Sequence, residues 1–351
     1  MRRESGTTLK DIARIAQVHP ATVSRALDPK RAHLVTEDTR IRIQDIAGQF
    51  GYQVNAVARS LRKGASSMIG VVVADVANPF LPPVLRGIEQ EVRSENLMLL
   101  IAETHGDSRT LADVLEHFAS QQVSAVIVAA ARTTDYDIIR RAAQSMVVVL
   151  AVRKLPSGNF PSVVPDDFLG GQLAARHLVE LGHHDLAQLH GPGCVSSFMD
   201  RSAGFESVMS KTTARDVSEG ARATAATVEE GHRLATMLLQ RKQDRPTGLF
   251  AHNDLMAIGA IQAIREQGLR CPEDVSVVGY NDAPLSNYVD PPLTTVRLPG
   301  LEVGRTAARV AMAQLRGQGD EVMPELLSPK LVVRSSSTHM PAPAPVGAGE
   351  A

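Results

Sequence analysis

Residues 8–27 read Thr8-Leu9-Lys10-Asp11-Ile12-Ala13-Arg14-Ile15-Ala16-Gln17-Val18-His19-Pro20-Ala21-Thr22-Val23-Ser24-Arg25-Ala26-Leu27, and this stretch decides the fold of the N-terminal region. Thr8 and Asp11 have the spacing of a capping box, and Leu9, Ile12, Ala13 and Ala16 share one helical face, so a short helix is predicted. After Gln17-Val18-His19, Pro20 suits a first helical turn, and Val23, Ala26 and Leu27 form the inward stripe of a second helix. A third amphipathic stretch runs from Thr36 to Phe50, opening with Thr36 and Thr39 and expected to bury Ile41, Ile43, Ile46, Ala47 and Phe50. Three short helices with a tight turn between the first two predict a helix-turn-helix.

Charge is unevenly placed around this region. The 351-residue chain holds 37 Lys+Arg and 38 Asp+Glu, a formal net charge of −1. Residues 1–64 carry 12 of the basic and 6 of the acidic residues, a local +6, which leaves 25 basic against 32 acidic, or −7, in the remainder. A basic segment on an acidic body points to a polyanion as the partner of the first segment. At roughly 100–200 residues per domain, two or three domains are expected. The longest apolar runs, 68–74 and 146–152, fall short of the ~20 residues of a membrane helix, and Met1-Arg2-Arg3-Glu4 leads into polar sequence. Neither secretion nor a membrane span is therefore expected. Cys194 and Cys271 stand alone, without a CxxC or a Cys/His cluster, which argues against a disulfide framework or structural zinc and predicts a reducing, cytoplasmic location.

Leu9-Lys10-Asp11-Ile12-Ala13, Ala21 through Leu27, Thr39-Arg40-Ile41, Gly51-Tyr52 and Asn55-Ala56-Val57-Ala58-Arg59-Ser60-Leu61-Arg62 together resemble the headpiece of the lactose/galactose-repressor (LacI/GalR) family of bacterial regulators. The resemblance continues in order, without large gaps, over nearly the whole chain. It implies a second helix that enters the major groove of double-stranded operator DNA and a hinge helix at 55–62 that folds in the minor groove. The residue chemistry suits those roles. Arg25 offers a guanidinium fork for guanine O6 and N7, Thr22, Ser24 and Arg31 reach toward phosphates, and Ala21 can only touch a thymine methyl. Thr8 and Pro20 complete the candidate contacts of the headpiece. Pro20 and Ala21 fall where relatives often carry bulkier base-reading side chains, so direct readout rests on few residues. Leu61 matches the family's apolar wedge, Asn55 is a natural N-cap for the hinge helix, and Ala58 permits close approach to the DNA backbone. One departure lies in the turn, where Gln17 replaces the family's usual Gly. A non-Gly residue in a left-handed turn costs on the order of 1 kcal/mol.

From Met68 onward apolar runs alternate with amphipathic helices. Strands are expected at 68–75, 97–103, 125–129 and 146–152, with helices at 82–94, 108–121 and 135–143. A second series has helices at 166–181, 196–209, 228–240 and 253–267 and strands at 185–190, 248–251 and 275–280. Continuous Val/Ile/Leu/Ala runs between helices indicate buried parallel sheets. The fold class is thus an all-α headpiece followed by an α/β body of two doubly wound units, similar to the periplasmic-binding-protein fold. The expected division is 1–52 headpiece, 53–66 hinge, 67–165 with 298–325 as one subdomain, 166–297 with 326–338 as the other, and 339–351 as a disordered tail.

Open parallel sheets bind ligands at the carboxyl ends of their strands. The resemblance places effector contacts there at Asn78, Phe80, Ser197, Arg201, Asn253 and Asn281, with Arg201 as the forked donor. Ser196, Arg153 and Arg132 are further polar candidates. Sugar-responsive relatives carry aspartates at the positions of Val152 and Asn281 and often a polar residue at Ala129. Losing those acceptors implies an effector with fewer hydroxyls than a hexose, or one bearing an anionic group. The chain has no GxGxxG, GxxxxGK[ST], HExxH or GxSxG, and His183-His184 after Leu181-Gly182 reads as a helix-ending turn. No catalytic residue, metal or cofactor is expected. The implied function is a transcriptional regulator of the repressor type, acting as a homodimer on a pseudo-palindromic operator and controlled by a sugar-derived or organic-acid effector. The alternative is a solute-binding receptor, which the body alone fits but the basic helix-turn-helix does not.

Overall fold

The computed structural model describes residues 7–28, 31–52, 68–157, 160–318 and 325–340. Two compact units are present, residues 1–67 and 68–351. The hinge candidates Asn55, Ala58 and Leu61 and the chain beyond 340 lie outside the described residues.

In the first unit, α1 (Leu9–Ile15), α2 (Pro20–Ala26) and α3 (Glu37–Gln49) enclose a small core of Ile12, Ala13, Ala16, Val23, Ala26 and Ile43. The capping box closes α1 reciprocally: the Thr8 hydroxyl accepts from the Asp11 N–H, and the Asp11 carboxylate accepts from the Thr8 N–H at 3.0 Å. Gln17 has φ +52 and Val18 N–H reaches back to the Ala13 carbonyl at 3.0 Å, so this turn ends α1 as glycine-type helix stops do. The third helix differs from expectation. Ile43 and Ala47 are buried, but Ile41 and Phe50 are exposed. A short helix laid against two others covers one narrow stripe, and Ile41 lies about 200° around the helix from Ile43.

The second unit contains two six-stranded sheets. The first has the order β11-β5-β4-β3-β1-β2, formed by β1 (Met68–Val73), β2 (Met98–Glu103), β3 (Ala125–Val128), β4 (Val147–Ala151), β5 (Ser162–Pro165) and β11 (Glu325–Leu327), all parallel. The second has the order β12-β10-β9-β8-β6-β7, formed by β6 (Asp185–Leu189), β7 (Arg215–Asp216), β8 (Gly248–Ala251), β9 (Ser276–Asn281), β10 (Thr294–Arg297) and β12 (Lys330–Val332). Only β12 runs antiparallel, against β10. The central strands are buried along their length, as parallel sheets covered on both faces require. Helices α4 (Leu81–Ser94), α5 (Ser108–Ser120) and α6 (Tyr136–Ala142) serve the first sheet, and α7 (Asp167–Glu180), α8 (Ser196–Met209), α9 (Val228–Leu239) and α10 (Asp254–Glu266) the second. After β10 the chain returns, and α11 (Gly300–Leu315) packs on α4 and on β3, β4 and β5.

Two expected boundaries are corrected. Residues 326 and 327 belong to β11 and pair with β5, so the passage between sheets falls at 328–329 and not after 325. His339 and Met340 are not free tail, since the Met340 N–H bonds the Leu181 carbonyl at 2.9 Å.

Candidate functional sites

In the headpiece, α2 is set by His19, whose Nδ1 accepts from the Ala21 N–H at 3.2 Å, with Pro20 in the first turn. With Val23 and Ala26 turned into the core, Ala21 and Arg25 form an exposed stripe at i, i+4 spacing. The Arg25 side chain has no partner among the described residues, so its fork is free for an external acceptor. Thr22 and Ser24 are half-buried beside it, and Arg31 is exposed after the helix. Thr8 is exposed, but its hydroxyl is already committed to Asp11 at 2.6 Å, so its observed role is capping. His19 was not among the expected residues, although its place just before Pro20 is that of an N-cap.

In the body, four contacts bring the carboxyl edges of the two sheets together. Beyond β3, the Thr133 N–H donates to the Cys194 carbonyl at 2.9 Å and Arg132 Nε to Cys194 Sγ at 3.3 Å. Beyond β4, the Lys154 N–H donates to Ser196 Oγ at 3.0 Å and Lys154 Nζ pairs with Asp200 at 2.6 Å. The strand ends of the two sheets are thus bridged at the start of α8.

Arg201 is buried further along α8. Gly171 and Gly204 let α7 and α8 touch backbone to backbone: a Cβ on either would stand 2.0 Å from a carbonyl oxygen of the other helix. That approach sets Arg201 Nε 2.9 Å from Asp167 Oδ1, while Nη1 donates to the His252 carbonyl. The guanidinium lies 3.8 Å from the Tyr280 ring centre and 5.0 Å from that of Phe198. Arg201 is therefore 4% exposed and largely committed inside the protein, in place of the open donor expected. Burial pushes the Asp167 carboxyl up, against the pull of Arg201. Desolvation holds His252 well below the usual imidazole range, so its Nε2–H donates to Gln188 Oε1 at 3.1 Å and Nδ1 accepts from the Gly191 N–H. Asp167, His252, Tyr280 and Phe198 escaped the sequence reading, because nothing local marks a pair 34 residues apart.

The other candidates divide. Phe80 is buried in the core beside Gly300, in place of the effector contact expected of it. Asn78 Oδ1 accepts from the Phe80 N–H, shaping the turn after β1. Asn253 caps α10 through Met256 and donates to the Ala226 carbonyl at 2.9 Å, so both ends of its amide are engaged. Ser197 is buried at the start of α8. Asn281 differs: it ends β9 with φ +110, and its Oδ1 is buried with no partner among the described residues. Val152 also departs from ordinary backbone, with φ +66 and an Arg153 N–H to Ala151 carbonyl bond of 2.6 Å, the i→i+2 closure of a strained γ-turn. That turn directs Arg153, whose Nη1 donates to the Ala130 carbonyl at 3.1 Å. Among the described residues there is no group of three or more His, Cys, Asp or Glu placed to hold a metal, and no helix long and apolar enough to cross a membrane.

Comparison with known proteins agrees with both parts. Residues 8–55 match the bacterial regulatory proteins of the lacI family, and residues 175–337 match a periplasmic binding protein-like domain. The ribose operon repressor of Haemophilus influenzae is 31% identical over 334 residues, covering 94% of this chain and 98% of that protein. The transcriptional repressor CytR of Escherichia coli is 28% identical, covering 97% and 99%. Among solved structures, the lac repressor dimer bound to operator and an anti-inducer superposes with a TM-score of 0.84 at 26% identity, over 95% of this chain and 100% of that one. A helix-turn-helix that exposes Arg25, followed by two largely parallel sheets bridged at their carboxyl edges, agrees with these similarities, and the chain belongs to the lacI family of DNA-binding bacterial transcriptional regulators.

Proposed function

We propose that the chain is a cytoplasmic, non-enzymatic repressor that binds a pseudo-palindromic operator as a dimer, one headpiece per half-site, and is controlled by a small molecule in the cleft of residues 68–340. The observation that carries this reading is the free Arg25 stripe on a capped helix in the same chain as a cleft whose edges are joined by few contacts. Two-fold symmetric dimers match palindromic half-sites. A ligand that binds one cleft geometry better than another is linked to DNA affinity by a coupling free energy. The ribose-bound lacI-family regulator of Enterococcus faecium, 28% identical with a TM-score of 0.67 over 77% of this chain, supports a cleft effector here.

The dimer face has its own support. Strand β2 is the edge of its sheet, and none of Met98-Leu99-Leu100-Ile101-Ala102-Glu103 is fully buried. Leu285 and Tyr288 are exposed in the other half of the body. Apolar groups on an open edge invite a second chain.

Operator selection from random duplexes, then gel-shift titration with and without stabilising ligands, tests the proposal. Arg25→Ala is expected to weaken the selected site by roughly 10- to 100-fold with little change on unrelated DNA. Equal loss on both would exclude Arg25 as a base reader.

A further inference from the structure

Two arginines beside the bridged strand ends form no ion pair among the described residues. Arg132 follows β3 and Arg153 follows β4, neighbouring strands of one sheet, and both are half-buried. Among the described residues the Arg132 guanidinium bonds only Cys194 Sγ, and that of Arg153 only the Ala130 carbonyl. Each keeps most of its five N–H donors unspent. The nearby carboxylates are already allotted. Asp135 accepts from the Arg132 backbone N–H at 2.7 Å and from the Ser108 hydroxyl, Asp200 pairs with Lys154, and Asp167 pairs with Arg201. Desolvation lowers the Arg153 guanidinium to about 10; the positive charges of Arg201 and Arg132 add to that effect, and Cys194 and Asp135 oppose it. The strained turn at Val152 holds Arg153 in this place, and strain of this kind persists where the surrounding structure imposes it. Neither guanidinium is ion-paired among the described residues, with Asp135 and Asp107 acting on them only at a distance, so a ligand oxyanion would find both forks open.

We propose that Arg132 and Arg153 form the oxyanion seat of the effector site, so that the effector is a small hydroxylated molecule bearing a carboxylate or a phosphate. Guanidinium forks match both groups with paired, charge-assisted hydrogen bonds. This rests on the reading of the cleft as the effector site. It specifies the ligand's charge, which a sheet-end cleft by itself does not.

The full-length protein is titrated by thermal shift and calorimetry with inorganic phosphate, gluconate, glucose 6-phosphate and ribose 5-phosphate, against neutral glucose and ribose at matched ionic strength. The expected result is that at least one oxyanion raises Tm above the chloride control while its neutral parent does not. Gluconate against the phosphates separates the two sources of the anion. Arg132→Gln and Arg153→Gln are each expected to weaken that binding by roughly 10- to 100-fold. Arg153→Lys keeps part of it, and Arg140→Gln, on the exposed face of α6, leaves it unchanged. Each variant's ligand shift is read against its own unliganded Tm, because the substitutions also remove the bonds to Cys194 Sγ and to the Ala130 carbonyl. Neutral sugars stabilising while every oxyanion leaves Tm at the chloride value would overturn the proposal, as would oxyanion binding that survives both Gln substitutions. If an oxyanion binds through these arginines without altering operator affinity, the seat stands and the repressor-effector reading fails. If a neutral ligand alters operator affinity and ignores both arginines, the reverse holds.

Discussion

At the scale of single residues, two positions carry opposite lessons. Gln17 is exposed in a left-handed turn where only the backbone matters, so its side chain contributes strain and no packing. Gln17→Gly is expected to stabilise the headpiece by up to about 1 kcal/mol, less a part lost to the freer unfolded chain. Denaturant titration of the isolated transition of residues 1–52 within the full chain would read it, and a destabilised variant would contradict the strain. Arg201 is the reverse case, since its value lies wholly in its partners. Arg201→Ala strips the counter-charge from a buried Asp167 and empties the space between Phe198 and Tyr280, so the body should lose about 3–5 kcal/mol. A Tm unchanged in that variant would mean the guanidinium serves the ligand and not the fold. Val152 belongs with these two: its backbone is strained as Gln17's is, yet it is buried, so strain relief and lost packing oppose each other there.

At the scale of elements, the segment at Thr338 is held by a histidine. His183 follows the αL Gly182 that terminates α7; its Nε2 donates to the Thr338 carbonyl and its Nδ1 accepts from the Thr247 hydroxyl, both at 3.1 Å. Desolvation lowers its pKa to about 4 from an ordinary 6.5. The folded value lies below the unfolded one, so the neutral ring's contribution is complete above pH 6.5 and is withdrawn as pH falls through 4. Acidification across that window should cost about 3 kcal/mol at this site. His177, His190 and His252 are also lowered by burial, so the site-specific part is the difference in slope between wild type and His183→Gln. Parallel stability curves for the two proteins from pH 7 to pH 4.5 would rule out His183 as a contributor. Elements also show where sequence pattern falls short. The strands β1, β3 and β4 were legible as apolar runs, whereas Ser162–Pro165 and Thr294–Arg297, no shorter than β3, mix Ser, Thr, Pro and Arg with valine and show no such run. Gly300–Leu315 does carry helical spacing in Val303, Ala307 and Ala311, and its place on the first sheet, beyond a strand of the second, is a matter of topology.

At the scale of the whole molecule, the near-zero net charge is the sum of two unlike regions, a +6 segment at 1–64 and a −7 remainder. The basic part faces a polyanion, and the acidic part discourages DNA from wrapping the sensor. In the proposed dimer, the strength of subunit association sets how strongly two headpieces act together. Ile101→Lys, placed on the exposed face of edge strand β2, is expected to leave the fold intact, shift the protein toward monomer in sedimentation, and lower operator affinity by roughly 100-fold through lost bivalency. An unaltered sedimentation coefficient would move the interface elsewhere.

The sequence by itself determined what short-range physics controls: the capped helices of the headpiece, the buried parallel strands, the segregation of charge, and the family to which these patterns belong. Only the tertiary structure decided which side chains meet. Arg201 was legible as a cleft residue, but its commitment to Asp167 follows from two helices brought together at Gly171 and Gly204. Arg132 and Arg153 were legible only as further polar candidates of the cleft, and the folded chain sets them apart by pairing the neighbouring carboxylates with other groups. Pattern and propensity act over a few residues, whereas desolvation and ion pairing depend on distances across the fold, and those distances made Arg201 part of the buried interior and left the other two arginines to receive an anion.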